Sequence, residues 1–239
     1  MISLLLRWAA LALVACAPGA VWAVDCRLAL VLAMDVSSSV DAQEDALQRG
    51  GLARALRAPA VQNAFFSAPS PVAIAVFEWS GRYNQELLLD WTLIQTPADL
   101  AFVSDRIATS RRSHDDFPTA IGHALAFGAQ LLESGPRCLF KTIDMAGYGD
   151  NNEGYGPRQA YREFPFDGVT VNGLVVNTTD FEAKADVVAY YQSHVLRGPG
   201  AFLEVARGFE DYERAITRKL EREVTPRAVS SLDFPFSPG

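Results

Sequence analysis

The sequence predicts a doubly wound α/β domain: a mostly parallel six-stranded sheet with one antiparallel edge strand and helices on both faces. Three observations carry this. Apolar runs of strand length alternate with stretches whose apolar residues recur at helical spacing. Several runs, LALVLAMD at 28–35 first among them, are apolar throughout, as strands covered on both faces must be. One pair of runs is joined by so short a turn that the two strands must be antiparallel. The 239 residues, 49% hydrophobic and 21% charged, suffice for one sizeable domain.

The elements follow in order. After 28–35, Asp41 and Glu44 are spaced as a capping box and open a helix to about Leu56. PVAIAVFEW (71–79) is a second strand, and the turn Ser80-Gly81-Arg82 leads back into ELLLDWTLI (86–94), the antiparallel edge. Pro97-Ala98-Asp99 opens a helix to about Thr109, and Pro118 to Leu132 is apolar at helical spacing. CLFKTIDMAG (138–147) is a buried strand, followed by a short helix from Pro157 to Phe164. GVTVNGLVV (168–176) is a strand, Phe181 to Val195 a helix, and AFLEVAR (201–207) the last strand. The final helix, 209–223, places Phe209, Tyr212, Ile216 and Leu220 on one face, and its charges are expected in solvent. Trp79, Trp91, Phe65 and Phe66 read as core or rim packing.

Residues 1–23 read as a secretory signal peptide, with Arg7, an apolar core WAALALVAC, and a small-residue end at Ala23. Cleavage there leaves a domain over 24–224, starting at Val24, and a loose tail over 225–239. Leu13-Val14-Ala15-Cys16 supports a second reading, in which Cys16 is lipidated and the protein stays on a membrane. The first reading makes it periplasmic or secreted, the second lipid-anchored. No other stretch reaches the roughly 18 apolar residues of a membrane span. Export places Cys26 and Cys138 in an oxidising compartment, where two cysteines pair or stay as separate buried thiols. A net charge of −7 disfavours a nucleic-acid partner.

The stretch MDVSSSVD (34–41) holds the most specific chemistry. It sets Asp35 at the carboxyl end of a buried strand, where open α/β sheets bind ligands, with Ser37 and Ser39 following at alternate positions. A carboxylate and two hydroxyls are oxygen donors suited to a hard cation such as Mg²⁺ or Mn²⁺. Ser37 lacks the G-x-S-x-G setting of a hydrolase nucleophile, so a hydrolase is the remote reading. His114, His123 and His194 lack zinc-ligand spacing. Gly147-Tyr148-Gly149 lacks the Lys-Ser/Thr end of a phosphate loop, and Asn177-Thr178-Thr179 is a chance sequon.

Asp35-x-Ser37-x-Ser39 resembles the metal-ion-dependent adhesion site of the von Willebrand factor A-type domain. Thr119-Ala120-Ile121-Gly122 resembles the loop that gives that site its threonine, and Ile143-Asp144-Met145-Ala146-Gly147 the strand before its second aspartate. The chain is more closely similar to an exported bacterial family of unknown function, domain-of-unknown-function family 1194. That resemblance runs over 26–223 through Gln48-Arg49-Gly50-Gly51, Glu78-Trp79-Ser80, Asn151-Asn152, Val171-Asn172-Gly173-Leu174, Gly198-Pro199-Gly200-Ala201-Phe202, and Lys219-Leu220 with Glu223. It implies that Cys26 and Cys138 start neighbouring parallel strands at one sheet edge, where a disulfide fits.

The pattern is altered where it matters. Tyr148 stands at the usual aspartate position, Phe117-Pro118 replace the glycines before Thr119, and His123 stands where an acidic residue is common. The resemblance therefore implies a weakened site: Asp35, Ser37, Ser39 and Thr119 as ligands, with Asp150, or Asp115 and Asp116, as carboxylates that could move in. A neutral phenol is a poor substitute for a carboxylate. The expected function is an exported, non-enzymatic module that grips a protein partner of the cell envelope at this face. Either a weakly bound Mg²⁺ or Mn²⁺ mediates the grip, or the domain is a metal-free scaffold.

Overall fold

The structure, a computed structural model, describes residues 25–177 and 185–226. The expected signal peptide with Cys16 and its expected cleavage site, the start of the expected 181–195 helix and nearly all of the expected tail lie outside these residues. Six strands form one sheet: β1 (Cys26–Asp35), β2 (Val72–Trp79), β3 (Gln85–Ile94), β4 (Cys138–Gly147), β5 (Val169–Val176) and β6 (Leu203–Ala206). Their spatial order is β3-β2-β1-β4-β5-β6, and every pairing is parallel except β2 with β3. The continuous apolar runs are the central strands, and every residue of β1, β2 and β5 is buried. In β3, at the edge, exposed and covered residues interleave.

Side chains alternate across β1, so each face of the sheet has its own core. Leu28, Leu30, Leu32 and Met34 face one cluster, together with Leu52 and Leu56 of α1 (Ala42–Arg57), Phe65 of α2 (Pro59–Phe66), Val103 of α3 (Pro97–Thr109) and Leu220 of α7 (Tyr212–Val224). Ala29, Val31 and Ala33 face the other, with Leu125 of α4 (Ile121–Ser134), Ala160 of α5 (Pro157–Glu163) and Val187 of α6 (Ala185–Tyr190). A π-helical turn, Tyr191–Val195, continues α6. None of the described helices is long and apolar enough to cross a membrane.

Local chemistry sets the helix ends. Asp41 accepts from the Gln43 and Glu44 backbone N–H groups while Glu44 accepts from Asp41 N–H, completing the expected capping box. Thr96 and Asp99 do the same for α3. Several elements differ from the sequence reading; β1 starts at Cys26, and α7 follows a 3-10 turn at Phe209–Asp211. α2 is an additional helix, started one residue after α1 by Pro59 at its first position. α4 starts at Ile121 rather than Pro118, because Asn152 Oδ1 takes the Thr119 N–H at 2.8 Å and holds that stretch out of the helix. β6 is confined to Leu203–Ala206.

The charges of α7 are a correction as well. Lys219 and Glu223 are buried, not solvated. Their chain turn points into the sheet, where Lys219 Nζ lies 2.7 Å from Asp144 Oδ1 on β4 and 2.6 Å from Glu223 Oε1. Asn172 on β5 donates to the same Glu223 oxygen at 2.7 Å and accepts from Phe202 N–H. Burial, then the nearby Glu223 charge, pushes the Asp144 carboxyl up to about 7, as expected for two carboxylates sharing one ammonium. Asn172, Phe202, Lys219 and Glu223, all in segments that carry the family resemblance, are therefore an internal polar lock between sheet and last helix. Cys26 and Cys138 are direct partners in the β1–β4 register, with Cα atoms 4.5 Å apart, and are joined by a disulfide.

Candidate metal centre

Asp35 ends β1 at the carboxyl edge of the sheet and is 1% exposed. Its Oδ1 accepts Ser37 N–H at 2.8 Å and its Oδ2 accepts Tyr148 N–H at 3.3 Å. These donors favour the carboxylate, as does the charge of Arg112. Burial outweighs them and pushes the Asp35 carboxyl up to about 6. Beside it, Ser37 Oγ and Ser39 Oγ lie 3.2 Å apart, and the Thr119 hydroxyl donates to Ser37 Oγ at 3.2 Å. Four of the expected ligands, Asp35, Ser37, Ser39 and Thr119, are thus gathered from two loops.

A second layer of side chains holds these loops. Gln48 on α1 donates to the Asp35 backbone carbonyl at 2.9 Å. Fully buried Glu78 accepts Ser113 N–H at 2.6 Å and is ion-paired with Arg49, which also grips Asp45 and donates to Ser110 Oγ. This chain of charges fixes the α3–α4 loop over the motif. Arg112 in that loop donates to the carbonyls of Val36 and Ser37 at 2.8 and 2.9 Å. From below, Asn152 accepts from Thr119 N–H and Asn151 accepts from Gly122 N–H. The family segments around Arg49, Glu78 and Asn151-Asn152 are therefore positioning residues.

The remaining candidates are placed elsewhere. The Tyr148 side chain turns onto Phe209, ring centroids 5.5 Å apart, and its backbone N–H reaches Asp35. Asp150 is exposed; its charge acts on Tyr190, and no hydrogen bond or salt bridge joins it to Asp35. Asp115 and Asp116 are exposed on the α3–α4 loop. Among the described residues no three His, Cys, Asp or Glu side chains gather as a metal-holding group. His123 stacks on Tyr155, and His114 meets Phe117 edge-on. Trp79 and Phe65 are buried, while Trp91 and Phe66 are half-buried.

Two residues at the centre have no sequence signal. One is Arg112. The other is Tyr191, fully buried, whose hydroxyl has no hydrogen-bond partner among the described residues. A Cβ at Gly147 would stand 1.9 Å from that hydroxyl and 3.5 Å from Asp35 Oδ2, so glycine is required for the phenol to lie beneath the site. Burial and then the Asp35 charge raise the Tyr191 pKa well above its ordinary value, keeping the phenol protonated. The donor set around Asp35 is all oxygen, with one carboxylate and three hydroxyls. That fits a hard divalent cation that keeps much of its water, and suits softer ions poorly.

Solved structures of low sequence identity share this architecture. Proximal thread matrix protein 1 from the mussel byssus, in a form with a zinc-occupied MIDAS motif, aligns with TM-score 0.59 at 13% identity, over 83% of this chain and 48% of that one. The pilus adhesin SpaC from Lactobacillus rhamnosus GG aligns with TM-score 0.58 at 11% identity, over 84% of this chain and 31% of that one. A von Willebrand factor type A protein from Catenulispora acidiphila gives 0.56 at 14% identity, over 84% and 42%. The chain thus spans less than half the length of each. At these identities the likeness establishes the fold, a von Willebrand factor A-type α/β sheet. Comparison with curated protein sequences gave no match. The family itself is set by sequence: residues 25–228 match the profile of a protein family of unknown function, DUF1194, and the chain belongs to that family.

Proposed function

We propose that this protein is an exported binding module that grips an acidic group of a protein partner in the cell envelope through a weakly held Mg²⁺ or Mn²⁺ at the Asp35 face. One observation carries the reading. A buried carboxylate, with no salt bridge among the described residues, stands beside three hydrogen-bonded hydroxyls at the ligand-binding edge of the sheet. Asp35 would hold the cation, with Ser37, Ser39 and Thr119 as hydroxyl or water-mediated contacts. A bound cation supplies an open coordination position for the partner's carboxylate. The protein's own residues do the rest: Glu78, Arg49 and Asn152 fix the loops, and Gln48 fixes the Asp35 backbone. The likeness to a matrix protein and a pilus adhesin agrees with a binding role.

Calorimetric titration tests it. The wild type is expected to bind Mn²⁺ at about millimolar strength, Tyr148→Asp at least about tenfold tighter, and Asp35→Ala not at all. Tight wild-type binding would mean that Asp150 or the Asp115–Asp116 pair moves in, and would sink the weakened-site reading. A pull-down from the envelope fraction with and without chelator tests the partner. N-terminal sequencing separates a soluble form starting at Val24 from one acylated at Cys16. The metal-free reading has one observation of its own: Arg112 already supplies positive charge beside Asp35. Capture that survives chelator but fails in Arg112→Gln would favour it.

A further inference from the structure

A cleft of about 280 Å³ lies between α5 and the π-helical turn, lined by Arg158, Tyr161, Arg162, Ser193, His194 and Arg197 among others. It is separate from the Asp35 centre. Arg197 bridges Val171, which is in register with Ile143 and through it with Val31, four residues before Asp35. That is about 13 Å down the strand axis and two strands across.

Charge marks this cleft. In a chain of net charge −7, three guanidinium groups line one small opening. Six other arginines, Arg49, Arg54, Arg57, Arg82, Arg214 and Arg218, each have a carboxylate within salt-bridge distance, while Arg27, Arg106, Arg111, Arg112, Arg207 and Arg222 have none among the described residues; what sets this cleft apart is that three such guanidinium groups meet in it. Among the described residues, Arg158, Arg162 and Arg197 have none. Arg158 and Arg162 are one turn apart on α5, an unfavourable like-charge spacing.

The cleft also has a fixed base. Arg197 exchanges backbone hydrogen bonds with Val171 at 2.8 and 3.1 Å. Its guanidinium carbon stands 4.9 Å from the centre of the Tyr161 ring and 5.9 Å from that of Phe166. Tyr161 is pinned in turn, its hydroxyl donating to the Val195 carbonyl. Ser193 Oγ and His194 Nδ1 are 2.8 Å apart at the opposite wall. Arg197 on this floor, facing the exposed Arg158 and Arg162 across the cleft, keeps a repulsion that a bound anion would relieve, and the planar forks match oxyanions bidentately. The volume lies just below that of clefts for drug-sized ligands, about 300–1,000 Å³, and suits a single headgroup.

We propose that this cleft binds a tetrahedral oxyanion of the phosphate-monoester class, held by Arg158, Arg162 and Arg197. The group could be presented by a soluble ester or by a lipid headgroup. Calorimetry of the exported chain with inorganic phosphate and with glycerol 3-phosphate is the first arm. Co-sedimentation with phosphatidylcholine vesicles, with and without phosphatidic acid, is the second. Saturable phosphate binding is expected. Arg197→Gln, and the surface pair Arg158→Gln with Arg162→Gln, should each weaken it at least about tenfold. Arg197→Lys, which keeps the charge without the fork, should weaken it less. Thermal melts confirm that each variant folds, and the surface pair decides the matter if Arg197→Gln does not. Co-sedimentation that requires phosphatidic acid and is lost in the surface pair would assign the group to a lipid. Binding of glycerol 3-phosphate without co-sedimentation would assign it to a soluble ester. Absence of saturable phosphate binding, or binding unchanged in both arginine variants, would overturn the proposal.

Discussion

Asp35 depends on backbone space as much as on its own side chain. The threonine loop is pressed against the Asn151–Gly156 segment, and Gly122 is where they meet: a Cβ there would stand 1.9 Å from the Tyr155 carbonyl oxygen. Gly122→Ala must therefore push the segment away, loosening Asn151 from Gly122 N–H and Asn152 from Thr119. A stability loss of about 1–3 kcal/mol is expected in urea unfolding, with weaker Mn²⁺ binding in calorimetry. Gly149→Ala is the contrast. Its Cβ would make ordinary contact with Thr119 Oγ1 at 3.7 Å, so stability should stay within about 0.5 kcal/mol. Equal losses in both variants would show that glycine flexibility, not space, is what matters.

At the scale of elements, two helices share one terminal cation. Arg27 on β1 donates to the carbonyls of Ala64 and Phe65 in α2 and of Val224 in α7, as well as to Ser70. These are helix C-terminal carbonyls, where a guanidinium both completes the hydrogen bonding and meets the negative end of the dipole. Arg27→Met removes these donors, leaving the Ala64 carbonyl only the Ser67 hydroxyl, and should lower stability by about 2–4 kcal/mol in urea unfolding.

The α7 lock gives a pH dependence of known sign. Asp144 rises from about 3.9 in the unfolded chain to about 7 in the fold, faced by Lys219 and Glu223 of α7 and, through Glu223, by Asn172 of β5. Between those values the folded state holds the extra proton. Stability therefore falls as pH rises, by up to about 1.4 kcal/mol per pH unit, and levels off above about 7. Asp35, raised to about 6, adds to the slope only below that value. Asp144→Asn should flatten the segment between about pH 6 and 7 in urea midpoints. An unchanged slope would place the proton elsewhere.

At the scale of the molecule, the disulfide ties the first strand to the fourth. It spans 112 residues of sequence and closes across the centre of the sheet, from one side of which β2 and β3 extend. Loop-entropy reasoning gives such a link up to about 4–5 kcal/mol. Replacing both cysteines by alanine should lower the unfolding free energy by no more than that and leave the sheet intact by circular dichroism. Mass spectrometry of the protein without reductant should find Cys26 and Cys138 joined, with no free thiol at either position. Two thiols would remove this constraint from the fold.

The sequence by itself determined the sheet and its ligand edge. Unbroken apolar runs of strand length between turn signals read as central strands, the short turn at Ser80–Arg82 leads back into an antiparallel edge, and Asp41 with Glu44 marks a helix start. It also pointed to Asp35, Ser37 and Ser39, which are neighbours along one loop. Tertiary structure decided what periodicity cannot report. Apolar spacing records which faces are buried, yet it does not show a lysine and two carboxylates buried against each other, so Lys219 and Glu223 read as solvated. The family resemblance marks Thr119 as a candidate, but only folding brings its hydroxyl to Ser37 across 82 residues of chain. Local pattern does not turn Tyr148 onto Phe209 or set Tyr191 beneath Gly147. Nor does it bring Arg197 to Arg158 and Arg162, because those positions depend on how separate elements meet over the sheet.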